Sequence, residues 1–207
     1  MPAQPLRVNI LAFDGVEALD FAGPFEVFTT ASRVNARRLP AAGTALFKVA
    51  SVATRTTVRA RAGLRLLADH LFADAPPADV LLVPGGLVDD ACADAATRDW
   101  IATQARQAAR VASVCTGAFV LAASGVLRAG PATTHWEDIG DLRARFPALD
   151  VREGPRWVAN DAGSRLLTSA GISAGIDMSL HLVELLAGRD LARATARQMD
   201  YAWTSAT

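Results

Sequence analysis

Cys115 lies in the segment VASVCTGAF, residues 111–119, where an apolar run ends at the cysteine and a Thr-Gly pair leads into a second apolar run. Small residues at Ser113 and Gly117 favour a sharp strand-to-helix turn, because larger side chains would collide where the chain reverses. A thiol on such a turn is typical of a nucleophile, whereas Cys92 fits an ordinary buried cysteine. We therefore predict that Cys115 is a catalytic nucleophile.

The helix expected after Cys115 predicts an ionised thiol. Unpaired N–H groups and the dipole at a helix N-terminus stabilise negative charge, so the thiolate is favoured over the thiol. The Thr116 hydroxyl has three candidate partners, namely the thiol, a substrate or its own helical turn, and the turn is the expected one. Thr116 and Gly117 are both predicted to border the substrate.

A nucleophilic thiol needs a partner that carries its proton. Asp20 follows the first predicted strand, in a loop that opens at the same sheet edge as Cys115. Two interpretations remain open for Asp20. It either shares a proton with the thiol or caps a helix that begins at Gly23-Pro24.

The substrate also needs groups that stabilise its developing negative charge. The sequence VPGG, residues 83–86, follows a buried run, and the N–H groups of Gly86 and Leu87 are predicted to supply that stabilisation. His135, in the segment TTHW, is predicted to line the site without acting as the base, because lone histidines are usually structural.

Composition excludes several classes of function. The 21 basic residues balance the 21 acidic ones, so no overall positive field is available for nucleic acid. The two cysteines fit neither a disulfide framework nor a metal spacing, and no metal or cofactor is predicted. The first apolar segment is too short for a signal peptide and no run could span a bilayer, so we expect a cytoplasmic protein with no membrane partner.

Short apolar runs alternate with amphipathic segments along the chain, which predicts an α/β fold with a doubly wound, mostly parallel sheet covered by helices on both faces. The length and the 51% hydrophobic content favour one domain over residues 1–207. Predicted strands cover 6–13, 46–53, 58–68, 80–83 and 111–114, with a further one ending at His135. A hairpin is predicted around 161–163, and helices are predicted over 97–110, 116–127 and 173–187, the last closed by Gly188.

Five motifs occur together in the order FDGVEALDFAGPFEVF, DVLLVPGG, ASVCTGAFVLAASGVL, ATTHW and LLTSAGISAGID. Together they resemble the ThiJ/PfpI superfamily, of the class-I glutamine-amidotransferase-like fold, from about residue 6 to 200. The resemblance implies a flavodoxin-like sandwich with a nucleophile elbow. The combination of Asp20, the Cys-Thr-Gly elbow and the Thr-Thr-His-Trp segment is similar to the isonitrile hydratases.

The isonitrile hydratase resemblance implies an enzyme that adds water to an isonitrile to give an N-substituted formamide. It implies that Cys115 is the nucleophile of a covalent thioimidate and that Asp20 moves the protons. Protease-like relatives carry histidine directly after the cysteine, so Thr116 argues against peptidase activity. The substituent on the substrate is not specified by the sequence.

Two other functions share these motifs. The segments LVPGG and SAGISAGIDMSLHLVE are similar to the N-terminal sensing domain of AraC-type transcription regulators, which implies ligand binding without turnover and a native gene that continues into a DNA-binding domain. A glyoxalase or a redox-sensing thiol protein also carries the elbow.

The superfamily resemblance implies a homodimer with the elbow near the subunit boundary. Phe21, Phe25 and Phe28 fall at helical spacing, and they either contribute to that boundary or pack on the sheet of their own subunit.

Overall fold

The computed structural model describes residues 4–39 and 45–204. Its centre is a seven-stranded sheet whose strands are β1 (Leu6–Leu11), β2 (Phe47–Ala53), β5 (His70–Leu71), β6 (Val80–Val83), β7 (Arg110–Val114), β10 (Trp157–Ala159) and β11 (Leu166–Ser169). They lie in the order β10-β11-β7-β6-β1-β2-β5, and all neighbours are parallel except the β10–β11 pair. This confirms the predicted α/β fold with a mostly parallel sheet.

Helices cover both faces of the sheet and bury two separate hydrophobic clusters. Because successive side chains of a strand point to opposite faces, Ile10 of β1 packs in one cluster and Leu11 in the other. The helices are α1 (Ala18–Arg38), α2 (Asp89–Ala93), α3 (Ala95–Gln107), α4 (Gly117–Ala123), α5 (Ile139–Arg145), α6 (Ala174–Ala187) and α7 (Arg189–Gln198). None of the helices in the described part of the chain is both long enough and apolar enough to cross a bilayer.

Two small sheets lie outside the central one. The strands β3 (Thr57–Arg59) and β4 (Arg65–Leu67) form an antiparallel hairpin, and β8 (Gly130–Ala132) pairs in parallel with β9 (Leu149–Val151). The prediction of one strand over 58–68 is wrong, because the chain reverses through Gly63, whose φ of +93° favours glycine.

Helix α1 begins at Ala18, five residues before the predicted Gly23-Pro24 start. Pro24 lies inside the helix, where its fixed φ is compatible with helical geometry but its ring removes one backbone donor and crowds the carbonyl group of the preceding turn. Asp20 therefore lies in the first helical turn rather than in a loop.

Several boundaries differ from those predicted. Strand β1 ends at Leu11 instead of residue 13, and α4 ends at Ala123 instead of residue 127. The strand predicted to reach His135 ends at Ala132, because the next N–H, that of Thr133, donates to Thr168 Oγ1 instead of a ladder partner. The hairpin around 161–163 and the α6 helix closed by Gly188 are confirmed.

Candidate active site

Cys115 occupies the turn between β7 and α4 with a φ of +57°, a left-handed conformation that is rare for residues other than glycine. Hydrogen bonds fix this turn on both sides. The Cys115 N–H donates to Ser169 O at 3.1 Å, and Thr134 Oγ1 donates to Cys115 O at 2.9 Å. The geometry is that of the predicted nucleophile elbow, and the packing around it sustains a backbone strain of about 1–3 kcal/mol.

Gly117 permits the close approach of α4 to β6. A Cβ at this position would overlap the carbonyl oxygen of Val83 and lie 2.9 Å from that of Pro84. Gly117 is not among the residues that line the pocket containing Cys115, and its close packing on β6 gives it a steric role.

Replacing Gly117 with alanine should destabilise the fold by about 3 kcal/mol, because main-chain atoms must move to admit the methyl group. Urea denaturation would measure this loss. Gly140→Ala in α5 is the matched control, since a Cβ there meets nothing within 4 Å and the expected change is neutral or slightly stabilising. Equal stability of the two variants would contradict this account of the elbow.

Asp20 faces the elbow from the first turn of α1 and is fully buried. Its Oδ2 accepts a hydrogen bond from the Gly85 N–H at 3.1 Å, and the Cys115 thiol is a hydrogen-bond contact of the same carboxyl group. No well-aligned donor reaches Oδ1 among the described residues. The alternative that Asp20 caps the helix is wrong, because Glu17 holds the N-cap position.

The electrostatics of this pair differ from the prediction of an ionised thiol. Burial and, to a smaller extent, the adjacent Asp20 charge raise the pKa of Cys115 to about 12. Burial also raises the pKa of Asp20 to about 6, although the hydrogen bonds from Cys115 and Gly85 oppose this. At neutral pH the shared proton therefore lies on sulfur, because the seven-residue helix α4 does not offset the loss of solvation.

The backbone donors expected at Gly86 and Leu87 are already occupied. The Gly86 N–H donates to Thr116 Oγ1 at 2.9 Å, and the Leu87 N–H donates to Gly15 O at 2.9 Å. The Thr116 hydroxyl donates to Gly86 O at 3.0 Å, so its expected bond within its own helical turn is not formed. Both backbone donor predictions are therefore wrong for the structure as it stands.

Two other backbone N–H groups face the sulfur, those of Thr116 and Ile172, and both lower the pKa of Cys115 against the larger effect of burial. Ile172 has a φ of +45°, in the left-handed region. Sequence analysis missed this residue. The only signal was its position between the two glycines of the segment SAGISAG, residues 169–175. Glycines there indicate a turn but do not show which backbone N–H groups face the thiol.

A pocket of about 230 Å³ opens above Cys115. Gly86, Leu87, Thr116 and His135 line it, as predicted. Sequence analysis missed the remaining lining residues, which are Glu17, Arg61, Glu137, Asp138 and Ile172. No group of three His, Cys, Asp or Glu side chains in 4–39 and 45–204 is arranged to hold a metal ion.

His135 forms one wall of the pocket. Its Nδ1 lies 3.5 Å from Asp138 Oδ2 and 3.6 Å from Glu137 Oε2, and the Glu137 N–H donates to the same nitrogen at 3.4 Å. Its ring packs on Gly171, where a Cβ would overlap the ring carbon Cδ2. The position agrees with the predicted lining role.

Comparison with known proteins assigns the part of the chain that contains this site to one family. The model of the DJ-1/PfpI family matches residues 6–185. The isonitrile hydratase of Pseudomonas putida is 37% identical over 198 residues, which cover 95% of this chain and 79% of that protein. The HTH-type transcriptional regulator GbdR of Pseudomonas aeruginosa is 29% identical over 95% of this chain, which spans only 51% of the regulator.

Solved structures agree with this assignment. A ThiJ/PfpI family protein from Pseudomonas syringae superposes with a TM-score of 0.82 at 27% identity, over 98% of this chain and 78% of that one. Drosophila melanogaster DJ-1beta shares the fold with a TM-score of 0.78 at 20% identity, over 97% of this chain and all of that one. The matched residues 6–185 include the elbow, Asp20 and all the residues that line the pocket, and the chain belongs to the DJ-1/PfpI family.

Proposed function

We propose that this protein is an isonitrile hydratase-like enzyme, a hydro-lyase that converts an isonitrile and water into an N-substituted formamide. The observation that carries the proposal is the buried Asp20–Cys115 pair at the base of a pocket, in a chain 37% identical to an isonitrile hydratase. No cofactor is required, because the thiol and the carboxyl group together supply a nucleophile and a proton carrier.

The first step joins the thiol to the isonitrile carbon. Sulfur forms a bond to that carbon while the S–H proton passes to Asp20 and from there to the same carbon. The carbon–nitrogen triple bond becomes a double bond, and the product is a thioimidate on Cys115. A carboxylate with a pKa of about 6 beside a thiol suits this transfer, because it is ionised at neutral pH and becomes an acid once it holds the proton.

The second step replaces sulfur by water. Asp20, again ionised, takes a proton from a water molecule whose oxygen bonds to the thioimidate carbon, and passes that proton to the nitrogen. When the carbon–sulfur bond breaks, the hydroxyl proton returns to sulfur through Asp20 and the formamide is released. The N–H groups of Thr116 and Ile172 face the sulfur and stabilise it whenever it carries negative charge.

The experiment that tests this proposal is incubation of the protein with a panel of alkyl and aryl isonitriles, with formamide detected by mass spectrometry. Formamide in large molar excess over enzyme supports the proposal. Formamide no greater than in a protein-free blank, for every member of the panel, would rule the activity out.

The pH dependence follows from the Asp20–Cys115 pair. The active free enzyme carries one proton on the pair, so kcat/KM should fall as pH decreases through about 6, where Asp20 becomes protonated and can no longer accept the thiol proton. It should stay level from about pH 7 to 10, because the thiol ionises only near pH 12. Steady-state rates at constant ionic strength would show this, and an activity that rises towards pH 5 would contradict it.

A second candidate is a sensing domain that binds a small molecule without converting it. The match to about half of the GbdR regulator favours this alternative. Equilibrium dialysis after long incubation separates the two functions, since a sensor returns the isonitrile unchanged. A glyoxalase or redox sensor is less well supported, because the thiolate is the oxidisable form and burial raises the pKa of Cys115 to about 12.

We also propose a homodimer, on the basis of the family alone. Phe21 and Phe28 are buried in the core of their own subunit, and Phe25 stacks on Phe21 with its ring centroid 6.1 Å away, so these rings do not argue for an interface. If association holds the start of α1, dilution to monomers should lower turnover. Light scattering that gives a mass near 21.7 kDa together with undiminished turnover would contradict the dimer.

A further inference from the structure

Glu17 is a carboxylate in the pocket whose side chain has no structural partner among residues 4–39 and 45–204. It holds the N-cap position of α1, yet its side chain makes no capping hydrogen bond. It forms no ion pair within 4.0 Å among the described residues. It lines the pocket together with Cys115. A charged group placed beside a nucleophile without capping or pairing is available to a ligand.

The charges around the pocket are unbalanced. Three carboxylates line it, those of Glu17, Glu137 and Asp138, against the guanidinium of Arg61 and the imidazole of His135. Even when His135 is protonated, the carboxylates outnumber the cations, and ionised Asp20 adds a fourth negative charge beneath them. A cleft whose lining carries a net negative charge attracts positively charged ligands.

Arg61 lies in the turn of the β3–β4 hairpin, which places it at this cleft. The Gly15 N–H donates to Arg59 O at 2.8 Å, and the Arg61 N–H donates to Val16 O at 2.9 Å, which fixes the hairpin to the segment that leads into Glu17. Arg61 has no carboxylate within 4.0 Å in the described part of the chain, so it leaves Glu17 free to bind a ligand.

The buried carboxyl group beside Cys115 adds to the negative charge of this site. Asp20 is fully buried beside Cys115, and its Oδ1 has no well-aligned donor among the described residues. Burial is the main cause of the raised pKa of Asp20, and the Glu17 charge is a smaller cause in the same direction. A positive group near Glu17 would offset both effects and stabilise the negative charge that passes between Asp20 and sulfur.

We propose that Glu17 is a specificity-determining residue that binds a positively charged group of the ligand close to Cys115. For the proposed hydratase, on which this choice of substrate rests, the substrate class is isonitriles with an ammonium substituent. The group is held at the pocket wall formed by Glu17, on the same side as Asp20, while Cys115 reaches the isonitrile carbon.

The first test compares three isonitriles of equal chain length that end in trimethylammonium, tert-butyl or carboxylate. The first two are nearly isosteric and differ in charge. We expect kcat/KM to favour the cation over the neutral compound by about tenfold, mainly through KM, and the carboxylate to be poorest. Glu17→Gln should reduce the cation preference at least about fivefold, and Arg61→Gln should increase it.

The matched control is Glu26→Gln, the same chemical change on the same helix. Glu26 pairs with Arg33 at 2.7 Å on the exposed surface and is not in the pocket. This variant should keep the cation preference of the unmodified protein. A preference that is absent in the unmodified protein, or equal in Glu17→Gln, would overturn the proposal.

The second test does not depend on isonitrile turnover. Cys115 is labelled with two methanethiosulfonates, one carrying trimethylammonium and one carrying sulfonate, and each rate is divided by that of a small thiol in solution. We expect the normalised ratio to favour the cation by about tenfold or more, to fall in Glu17→Gln and to remain in Glu26→Gln. The rates are measured in a Cys92→Ala background, because both cysteines are buried to a similar extent, and labelling should be absent when Cys115→Ala is added.

The two tests separate the two proposals. Cation-selective labelling without formamide from any isonitrile would disprove the hydratase and leave the role of Glu17 supported. Formamide production with a labelling ratio at or below that of the free thiol would overturn the role of Glu17 and leave the hydratase supported.

Discussion

Cys115→Ala should abolish formamide production while the protein remains folded. Alanine lacks the sulfur that bonds to the isonitrile carbon in the proposed mechanism, and no other sulfur lines the pocket in the described chain. The expected loss is at least about 10⁴-fold in kcat, to the level of the uncatalysed reaction. Formamide quantified over hours of incubation would measure the residual rate.

The control for this variant is Cys92→Ala, which removes the other thiol, buried on α2 away from the pocket. It should keep most of the activity. Near-ultraviolet circular dichroism and the thermal midpoint establish that both variants are folded. Substantial turnover by folded Cys115→Ala would show that Cys115 is not the nucleophile.

Asp20→Asn should lower turnover by about 10²–10⁴-fold, the range for loss of a single acid–base group. The amide has nearly the shape of the carboxyl group and can still accept a hydrogen bond from the Gly85 N–H, but it cannot take the thiol proton or pass it to carbon. Because the same group serves both steps, neither step should recover with added external base. Initial rates over pH 6–9 would measure the loss.

Two results check this interpretation of Asp20. Glu26→Gln, a carboxylate-to-amide change on the exposed face of the same helix, should have no comparable effect. A change below about threefold in folded Asp20→Asn would reduce Asp20 to a structural partner of the Gly85 N–H.

The sequence predicted those parts of the site that depend on local geometry. Ser113 and Gly117 around Cys115 indicated a turn that only small residues permit, and the structure has that turn. The alternation of apolar runs with helices predicted the sheet and thereby the edge at which Cys115 lies. These features depend on residues that are close to one another in the chain, so the sequence pattern is sufficient to predict them.

The parts that sequence missed depend on contacts between distant segments. Arg61 reaches the pocket only because a hairpin, predicted as one strand, folds back on the segment around Gly15. The donors at Gly86 and Leu87 were predicted to be free, but Thr116 and Gly15 occupy them. Local sequence does not indicate which distant residue accepts a hydrogen bond from a given backbone N–H.

The protonation of the site could not be predicted from the helix rule. The N-terminus of α4 favours a thiolate, but burial and the neighbouring Asp20 charge outweigh it and raise the pKa of Cys115. Burial is a property of the assembled core, so the sign of the shift becomes visible only in the structure.

The covalent intermediate is the most direct test of the central claim. Quenched-flow mass spectrometry of the intact protein during a single turnover should show a transient increase equal to the full mass of the isonitrile, since addition has no leaving group. Digestion should place that mass on the peptide that contains Cys115, and formamide should appear as the adduct decays. Formamide released at the full rate while Cys115 stays unmodified throughout the turnover would contradict the account.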